Sequence, residues 1–360
     1  MIRLRRLLRT PLSMIGLPAG LLVYLVTGRT PAWAYRAFVH LFCATGGRSN
    51  EAISAIVGWT SSRLRFAAVD GVLGKLPGER LQMQVRQLRE QGYLVFPGAL
   101  PQGMCRRLMD FALTTPASVR RMDHEPAATP QRLARFDPLE PLAVRYDYPT
   151  EALLEDADVQ NLLADASLLV LCQAYLGAQP RADVLSMWWH TRFHDRPDSE
   201  AAQFFHFDLD RPKWLKIFIY LTDVGADNGP HTFVAGTHAL GGIPARILDK
   251  GYVRLTDEEV HAEFGPDRLI EFAAPRGTII VEDTRGLHKG APVRGAARLV
   301  LQLQFSNCLF GSHYPEARMG NVVDPSMRAM LGTAPQVYRQ YQHAAASIQR
   351  RATNSTHESN

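Results

Sequence analysis

The second half of the chain is a succession of short apolar runs, each closed by turn residues. "ADVLSMWWHTRF", "KWLKIFIYLTDV", "HTFVAGTH", "GTIIVED" and "ARLVLQLQFSN" are all of this kind. Runs of this length, rich in branched and aromatic residues, predict strands. "DNGP" at 227–230 is a strong turn signal between two of them. The first half reads differently. Leu81, Val85 and Leu88 recur at helical spacing in "RLQMQVRQLREQG", and Gly92 ends that helix. "YLVFPGAL" follows as a short strand. "QGMCRRLMDFAL" is amphipathic, with Met104, Leu108 and Phe111 on one face. In "DASLLVLCQAYLG", Asp165 is placed to cap the helix start and Gly177 lies just past its end. Helices first, then strands with long connections, predict an α+β fold with a β-sandwich or jelly-roll core.

Residues 113–150, rich in Pro, Arg and Asp, read as a surface loop region, and 239–270 as a partly helical insertion between strands. The expected organisation is a helical extension over 1–80, a strand-rich domain over 81–335 and a C-terminal helix or tail over 336–360. The net charge of +5 is spread along the chain without a basic, aromatic-interleaved run, so no nucleic-acid partner is expected. Cys43, Cys105, Cys172 and Cys308 lie far apart and form no CxxC pair, which argues against a zinc ribbon or a disulfide scaffold and favours a reducing cytoplasm. At the N-terminus, Arg3, Arg5, Arg6 and Arg9 precede an apolar stretch from Leu12 to Val26 that Gly16, Pro18 and Gly20 interrupt. Three readings fit it: a packed helical extension, a membrane-surface helix giving peripheral membrane contact through residues 1–30, and a signal peptide.

The chemistry concentrates at "FFHFDLDRPKWLKIFIYLTDV" (204–224). In an extended chain His206 and Asp208 point to one face and Phe207 to the other. A carboxylate buried beside an imidazole is costly unless compensated, and a divalent metal compensates it. His288 follows the apolar strand Thr278–Val281 and a turn, and Arg298 opens the last clear strand ten residues later. Two histidines and one carboxylate form the facial arrangement of non-haem Fe(II) oxygenases, with positions left open for a co-substrate and O2. A planar guanidinium such as Arg298 can hold a carboxylate through two parallel hydrogen bonds.

The order His206-x-Asp208, "DNGPHTFVAGTH", His288 and Arg298 resembles the phytanoyl-CoA dioxygenase family of Fe(II)/2-oxoglutarate enzymes. The family's "(D/E)-x-G-P-…-PGSH" segment stands here as Asp227–His238, with Ala235 and Thr237 replacing Pro and Ser. "REQGYLVFPGALPQGMCRRL" resembles the family's opening strand and helix, and the similarity spans roughly 85–310. The resemblance implies a double-stranded β-helix, with flanking helices, in which His206, Asp208 and His288 bind Fe(II) and Arg298 holds 2-oxoglutarate. O2 is consumed, succinate and CO2 are released, and a small or carrier- or lipid-linked organic substrate is hydroxylated. Related halogenases carry a small residue at the carboxylate position; Asp208 therefore favours hydroxylation, desaturation or ring chemistry. A non-catalytic metal- or ligand-binding jelly roll and a cupin-like metal-dependent isomerase are the alternatives.

Further residues are placed with less chemistry attached. Asp210 shares the face of His206 and Asp208 and reads as a surface acid or an outlying pocket group. Trp188 and His190 share one face of "SMWWHTRF" and are pocket candidates, Trp188 the more readily as core packing. Lys216, alternating with Phe218, reads as an exposed strand position or an anion contact. His231 and His238 read as structural. Arg294 rivals Arg298, although Gly295 beside it suggests a turn.

Overall fold

The computed structural model describes residues 2–120, 132–193 and 201–343, with side chains from residue 9 to residue 341. Its helices are α1 (Ile2–Thr27), α2 (Ala32–Thr45), α3 (Arg48–Thr60), α4 (Gly78–Gln91), α5 (Gln102–Thr114), α6 (Thr150–Leu154), α7 (Ala157–Leu163), α8 (Ala166–Leu176), α9 (Ala245–Leu248), α10 (Asp257–Glu263) and α11 (Pro325–Thr333). Its strands are β1 (Tyr93–Phe96), β2 (Ala117–Val119), β3 (Arg132–Ala134), β4 (Arg145–Asp147), β5 (Arg181–His190), β6 (Trp214–Tyr220), β7 (His231–Val234), β8 (Leu269–Glu271), β9 (Ile279–Glu282), β10 (His288–Gly290), β11 (Arg298–Ser306), β12 (Ala317–Met319) and β13 (Tyr341–His343).

The predicted helix boundaries follow from local chemistry. The Asp165 carboxylate accepts from Leu168 N at the start of α8, and Gly177 ends it in the left-handed region. Gly92 closes α4 at φ +93°. A β-carbon there would lie 2.6 Å from His238 Nδ1, so no larger residue fits.

Eight strands form one sheet in the order β1-β9-β6-β11-β5-β4-β2-β3, and β10-β7-β8 form a second. All pairings in both are antiparallel. Strand alternation divides the large sheet into two faces. Leu215, Ile217 and Ile219 of β6 with Leu299, Leu301 and Leu303 of β11 face outward, into a core shared with Leu88, Leu108, Leu163 and Leu168 of the helices. Burying each such side chain contributes about 1.5–3 kcal/mol. Phe218, Tyr220 and Val300 face the other way and meet Phe233 and Ile270 of the small sheet. Side chains from both sheets thus fill a second interior, and the functional groups lie in it. Central β11 is buried along its whole length.

Several expectations are corrected. The stretch 113–150 is not simply a surface loop: β2 and β4 extend the large sheet beyond β5. Tyr146 and Ala117 are fully buried, but three-residue strands are too short to show alternation in sequence. The described part of the C-terminal segment, up to residue 343, forms no α-helix. After one 3-10 turn at Pro335–Tyr338 it pairs in parallel with β12 as β13, and the tail beyond 343 lies outside the described residues. Pro18, Gly16 and Gly20 do not interrupt α1. A β-carbon on Gly20 would lie 2.2 Å from Ala34 Cβ, so this glycine lets α1 approach α2 closely. From α2, Phe38 and Leu41 are buried and Phe42 stacks on Phe207 with ring centroids 5.7 Å apart.

A buried ion cluster joins α3 to the turn that precedes β10. Arg285 donates to Asp283 Oδ2 from Nη2 at 2.7 Å and to Glu51 Oε1 from Nη1 at 2.7 Å. Tyr175 adds a hydrogen bond to Asp283 at 2.5 Å. Burial pushes the Asp283 carboxyl up, but the Arg285 guanidinium outweighs it and holds it at about 2. Its contribution to stability is therefore complete above the ordinary carboxylate value of about 3.9 and lost as pH falls through about 2. Arg285→Met should lower stability at neutral pH by about 3–5 kcal/mol, because Asp283 is left charged and buried. Chemical denaturation of the metal-free protein checks this; an unchanged midpoint would show the cluster to be energetically idle.

Candidate metal and co-substrate site

The stretch around His206 lies against β10. His206 and His288 pair as antiparallel neighbours: His206 N donates to His288 O at 2.9 Å and His288 N to His206 O at 2.8 Å. Directly opposed residues put their side chains on the same face, and the two imidazole centroids are 4.3 Å apart. Asp208, two residues on, comes to that face too, while Phe207 points away and is fully buried against Phe42 and Tyr252. The ligand atoms of His206, Asp208 and His288 all lie within 4.8 Å of one another, and all three residues are buried.

The hydrogen bonds around these rings define their protonation. His206 Nδ1 lies 2.9 Å from Phe204 O, and His288 Nδ1 lies 3.0 Å from Gly286 O. A carbonyl only accepts, so each Nδ1 carries the proton and each Nε2 presents a lone pair. Both lone pairs face Asp208: His206 Nε2 is 3.7 Å from Oδ1 and His288 Nε2 is 3.4 Å from Oδ2. Burial lowers both imidazoles, His288 to about 3, so they stay neutral. Burial also opposes charge on Asp208, but the ammonium of Lys216 holds its carboxyl well below the usual range. Two lone pairs and a carboxylate converging without a shared proton suit a divalent cation, and backbone-anchored Nδ1–H groups are the usual outer support of metal-bound histidines.

Lys216 departs from the exposed reading. Its side chain points inward from β6, with Nζ 2.5 Å from Asp208 Oδ2 and 3.7 Å from Asp210 Oδ2. Burial alone would strip its proton; the two carboxylates outweigh that and raise its pKa. Asp210 is likewise not a surface acid, since it faces this ammonium. The face of a lone strand lysine cannot be read from alternation when its charge partners lie on another segment.

A second cluster lies around Arg298, which β11 places opposite His190 of β5. Arg298 Nη2 is 2.8 Å from His190 Nδ1. Burial and the Arg298 charge push the His190 imidazole well below its ordinary value, so Nδ1 accepts and Nε2 bears the proton. Arg298 Nε and Nη1, His190 Nε2 and Trp188 Nε1 are all buried with no hydrogen-bond partner among the described residues. Buried donors are seldom left unpaired, and what these lack is an acceptor. Gly290, two residues beyond His288 on the same face of β10, lets this cluster approach: a β-carbon there would lie 3.2 Å from Arg298 Nη2. Arg294 is exposed in a turn whose amides, Arg294 N and Gly295 N, bond Asp227 O, so it takes no part.

The segment 231–238 supports both clusters. Thr237 keeps the hydroxyl that serine would supply: it donates to Val234 O and accepts from Leu287 N at 2.8 Å, just before His288. His231 lies 5.5 Å, centroid to centroid, from His288, and its Nε2 is 2.6 Å from Glu282 Oε2. Burial raises Glu282 and lowers His231 to about 3, so the pair is held as carboxylic acid and neutral imidazole. Glu282 went unremarked in the sequence; its signal is a single carboxylate alternating with Ile280 on the inward face of β9. His238 bonds Arg89 O, which ties this segment to α4.

The family model for phytanoyl-CoA dioxygenase matches residues 88–298. No curated protein matches the chain. Among solved structures, HygX from Streptomyces hygroscopicus with nickel, 2-oxoglutarate and hygromycin B bound is 14% identical, with 67% of this chain and 91% of that chain covered and a TM-score of 0.43. The alpha-ketoglutarate-dependent carbocyclase SnoK of nogalamycin biosynthesis is 15% identical, covering 64% and 83%, with a TM-score of 0.44. The epimerase SnoN of the same biosynthesis is 16% identical, covering 64% and 84%, with a TM-score of 0.42. These superpositions are too loose to bear on the assignment, which rests on the family match. That match spans more than half the chain and runs from α4 to Arg298: the chain belongs to the phytanoyl-CoA dioxygenase family.

Proposed function

We propose that this protein is an Fe(II)/2-oxoglutarate-dependent oxygenase acting on a small organic molecule, and that its reaction is a hydroxylation. The observation that carries the reading is the presence of two clusters: converging ligand atoms of His206, Asp208 and His288, and buried donors without acceptors at Arg298 and His190. The first suits a metal and the second a carboxylate. On this reading the two sheets are the halves of a double-stranded β-helix and the site sits between them.

When bound, iron and 2-oxoglutarate supply O2-dependent oxidation of a C–H bond, with release of succinate and CO2. The chain's own groups have separable tasks. His206, Asp208 and His288 bind the metal through Nε2, a carboxylate oxygen and Nε2. Lys216 fixes the Asp208 carboxylate by occupying Oδ2. Arg298 would hold the far carboxylate of 2-oxoglutarate from its acceptor-less Nη1, with His190 Nε2–H as an added donor and Trp188 lining the pocket. Glu282 and His231, both neutral, keep a proton near His288 without placing a charge there. Phe218 and Phe272 exclude water around them.

The test is anaerobic addition of Fe(II) and then 2-oxoglutarate to metal-free protein, followed by visible spectroscopy. A metal-to-ligand charge-transfer band from the chelated 2-oxo acid is the expected result. Folded protein that binds iron but gives no band and does not consume 2-oxoglutarate would be a non-catalytic binding protein; product lacking oxygen from 18O2 would favour an isomerase or desaturase over a hydroxylase. Lys216→Met should weaken Fe(II) binding by about 10- to 100-fold, the usual loss when a partner of a metal ligand is removed. Titration with Fe(II) under argon reads this directly, and equal affinity would remove Lys216 from the site's design.

A further inference from the structure

Helix α1 presents an apolar face that nothing among the described residues covers. Leu12, Ile15, Leu22 and Val26 recur at helical spacing and are 70%, 73%, 66% and 87% exposed. Between Pro11 and Val26 the only polar side chains are Ser13 and Tyr24. Ser13 is buried, and Tyr24 is turned to the domain, where its hydroxyl accepts from Leu309 N at 3.1 Å and its ring meets Phe310 edge-on. Scattered surface leucines need no explanation, but a continuous apolar helix face does.

The charged residues of this N-terminal stretch have one sign. Arg3, Arg5, Arg6, Arg9, Arg29, Arg36 and Arg48 occur before the first acidic residue, Glu51. Arg9 and Arg36, both exposed, flank a groove of about 720 Å³ together with Leu12 and half-exposed Trp33. An arginine-flanked apolar face with a tryptophan at its edge matches the boundary between anionic lipid headgroups and acyl chains. Length and composition alone would let the stretch Arg9–Thr27 cross a bilayer. Its seam with α2 rules that out for this fold. Leu17 is buried, Gly20 abuts Ala34, and α2 in turn stacks Phe42 on Phe207 beside the metal-ligand candidates. A helix held along its length against the domain lies on a membrane and does not span it.

We propose that the α1–α2 hairpin docks this protein on an anionic membrane surface, with α1 in the plane of the interface, its Leu12–Val26 face among the acyl chains and Arg9 and Arg36 at the phosphates. The groove ends at Tyr252, whose ring meets Phe207, so the docked face lies directly behind the segment bearing His206 and Asp208. The docking does not depend on the proposed oxygenase activity and is tested without it.

Full-length metal-free protein is sedimented with vesicles of phosphatidylcholine alone and of phosphatidylcholine containing phosphatidylserine. The test variant carries Ile15→Glu and Leu22→Glu, both exposed positions that leave the packed seam intact; circular dichroism and the unfolding midpoint verify its fold. The wild type should bind the anionic vesicles more strongly than the neutral ones, and more weakly as salt rises. The variant should lose at least about 10-fold in bound fraction, since a carboxylate at acyl depth is strongly disfavoured. Absence of wild-type binding to anionic vesicles, or equal binding by the folded variant, overturns the proposal. So does a wild-type dimer in size-exclusion chromatography that the variant converts to monomer without vesicle binding in either, which would make the face a contact between copies of this chain.

Discussion

Asp208→Ala is expected to lower iron-dependent 2-oxoglutarate consumption by more than about 100-fold, the upper end of what even the outer partners of a metal ligand contribute. The substitution removes the only carboxylate of the ligand set. It also strips Lys216 Nζ of its 2.5 Å partner, leaving the ammonium with Asp210 alone at 3.7 Å. The site would then hold a buried cation where a metal cation should bind. Loss of activity should therefore be accompanied by loss of Fe(II) affinity, and not by a raised KM for 2-oxoglutarate alone. A destabilisation of about 3–5 kcal/mol is expected from the unpaired lysine. Asp208→Ala combined with Lys216→Met should recover part of that stability and none of the activity. Full iron-dependent turnover by Asp208→Ala would exclude this carboxylate as a ligand.

Arg298→Ala is expected to weaken 2-oxoglutarate binding by roughly 30- to several-thousand-fold, the effect of about 2–5 kcal/mol when one partner of a buried charge pair is cut away. Fe(II) affinity should stay nearly constant, because Arg298 contacts His190 and not the ligand set. The charge-transfer band should accordingly return at high 2-oxoglutarate concentration. Arg298→Lys should not restore wild-type affinity: a compact ammonium cannot reproduce the fixed, planar array of guanidinium donors. His190→Phe should have a smaller effect in the same direction. If Arg298→Ala bound 2-oxoglutarate as tightly as wild type, the acceptor that its unpartnered donors lack would have to be a substrate group.

The two variants separate metal loss from co-substrate loss, and each follows from burial. At the surface, water would satisfy Arg298 Nε and Nη1 and the lone pairs of His206 and His288 at little cost. Inside, with the residues only 2–6% exposed, unsatisfied donors and acceptors are expensive and point to the groups that complete them.

Much of this was legible in the chain alone, for a consistent reason. Strand alternation put His206 and Asp208 on one face with Phe207 opposite, a local property of extended backbone. Gly295 marked Arg294 as a turn residue, leaving Arg298 on the strand. Asp165, Gly92 and Gly177 bounded their helices through caps that involve only neighbouring residues. What was misread depended on partners distant in sequence. Lys216 looks like a surface charge until β6 turns it toward Asp208 and Asp210, and Asp210 until it meets that ammonium. Glu282 is one carboxylate in an apolar strand until His231 closes on it. The three-residue strands β2, β3 and β4 exist because a sheet edge was there to pair with.

The sequence by itself determined the strand-rich second half, the capped helices, the polar face at His206 and Asp208 and the family-like order of His206, Asp208, His288 and Arg298, because periodicity and capping are written over a few residues. Only the tertiary structure decided that His206 and His288 pair as neighbours, that Lys216 turns inward, that Arg298 and His190 keep buried donors without acceptors, and that α1 packs on one side while leaving its apolar face open. Those outcomes depend on which distant surfaces exclude water from each other, and that is settled when the two sheets and the helices close on a common interior.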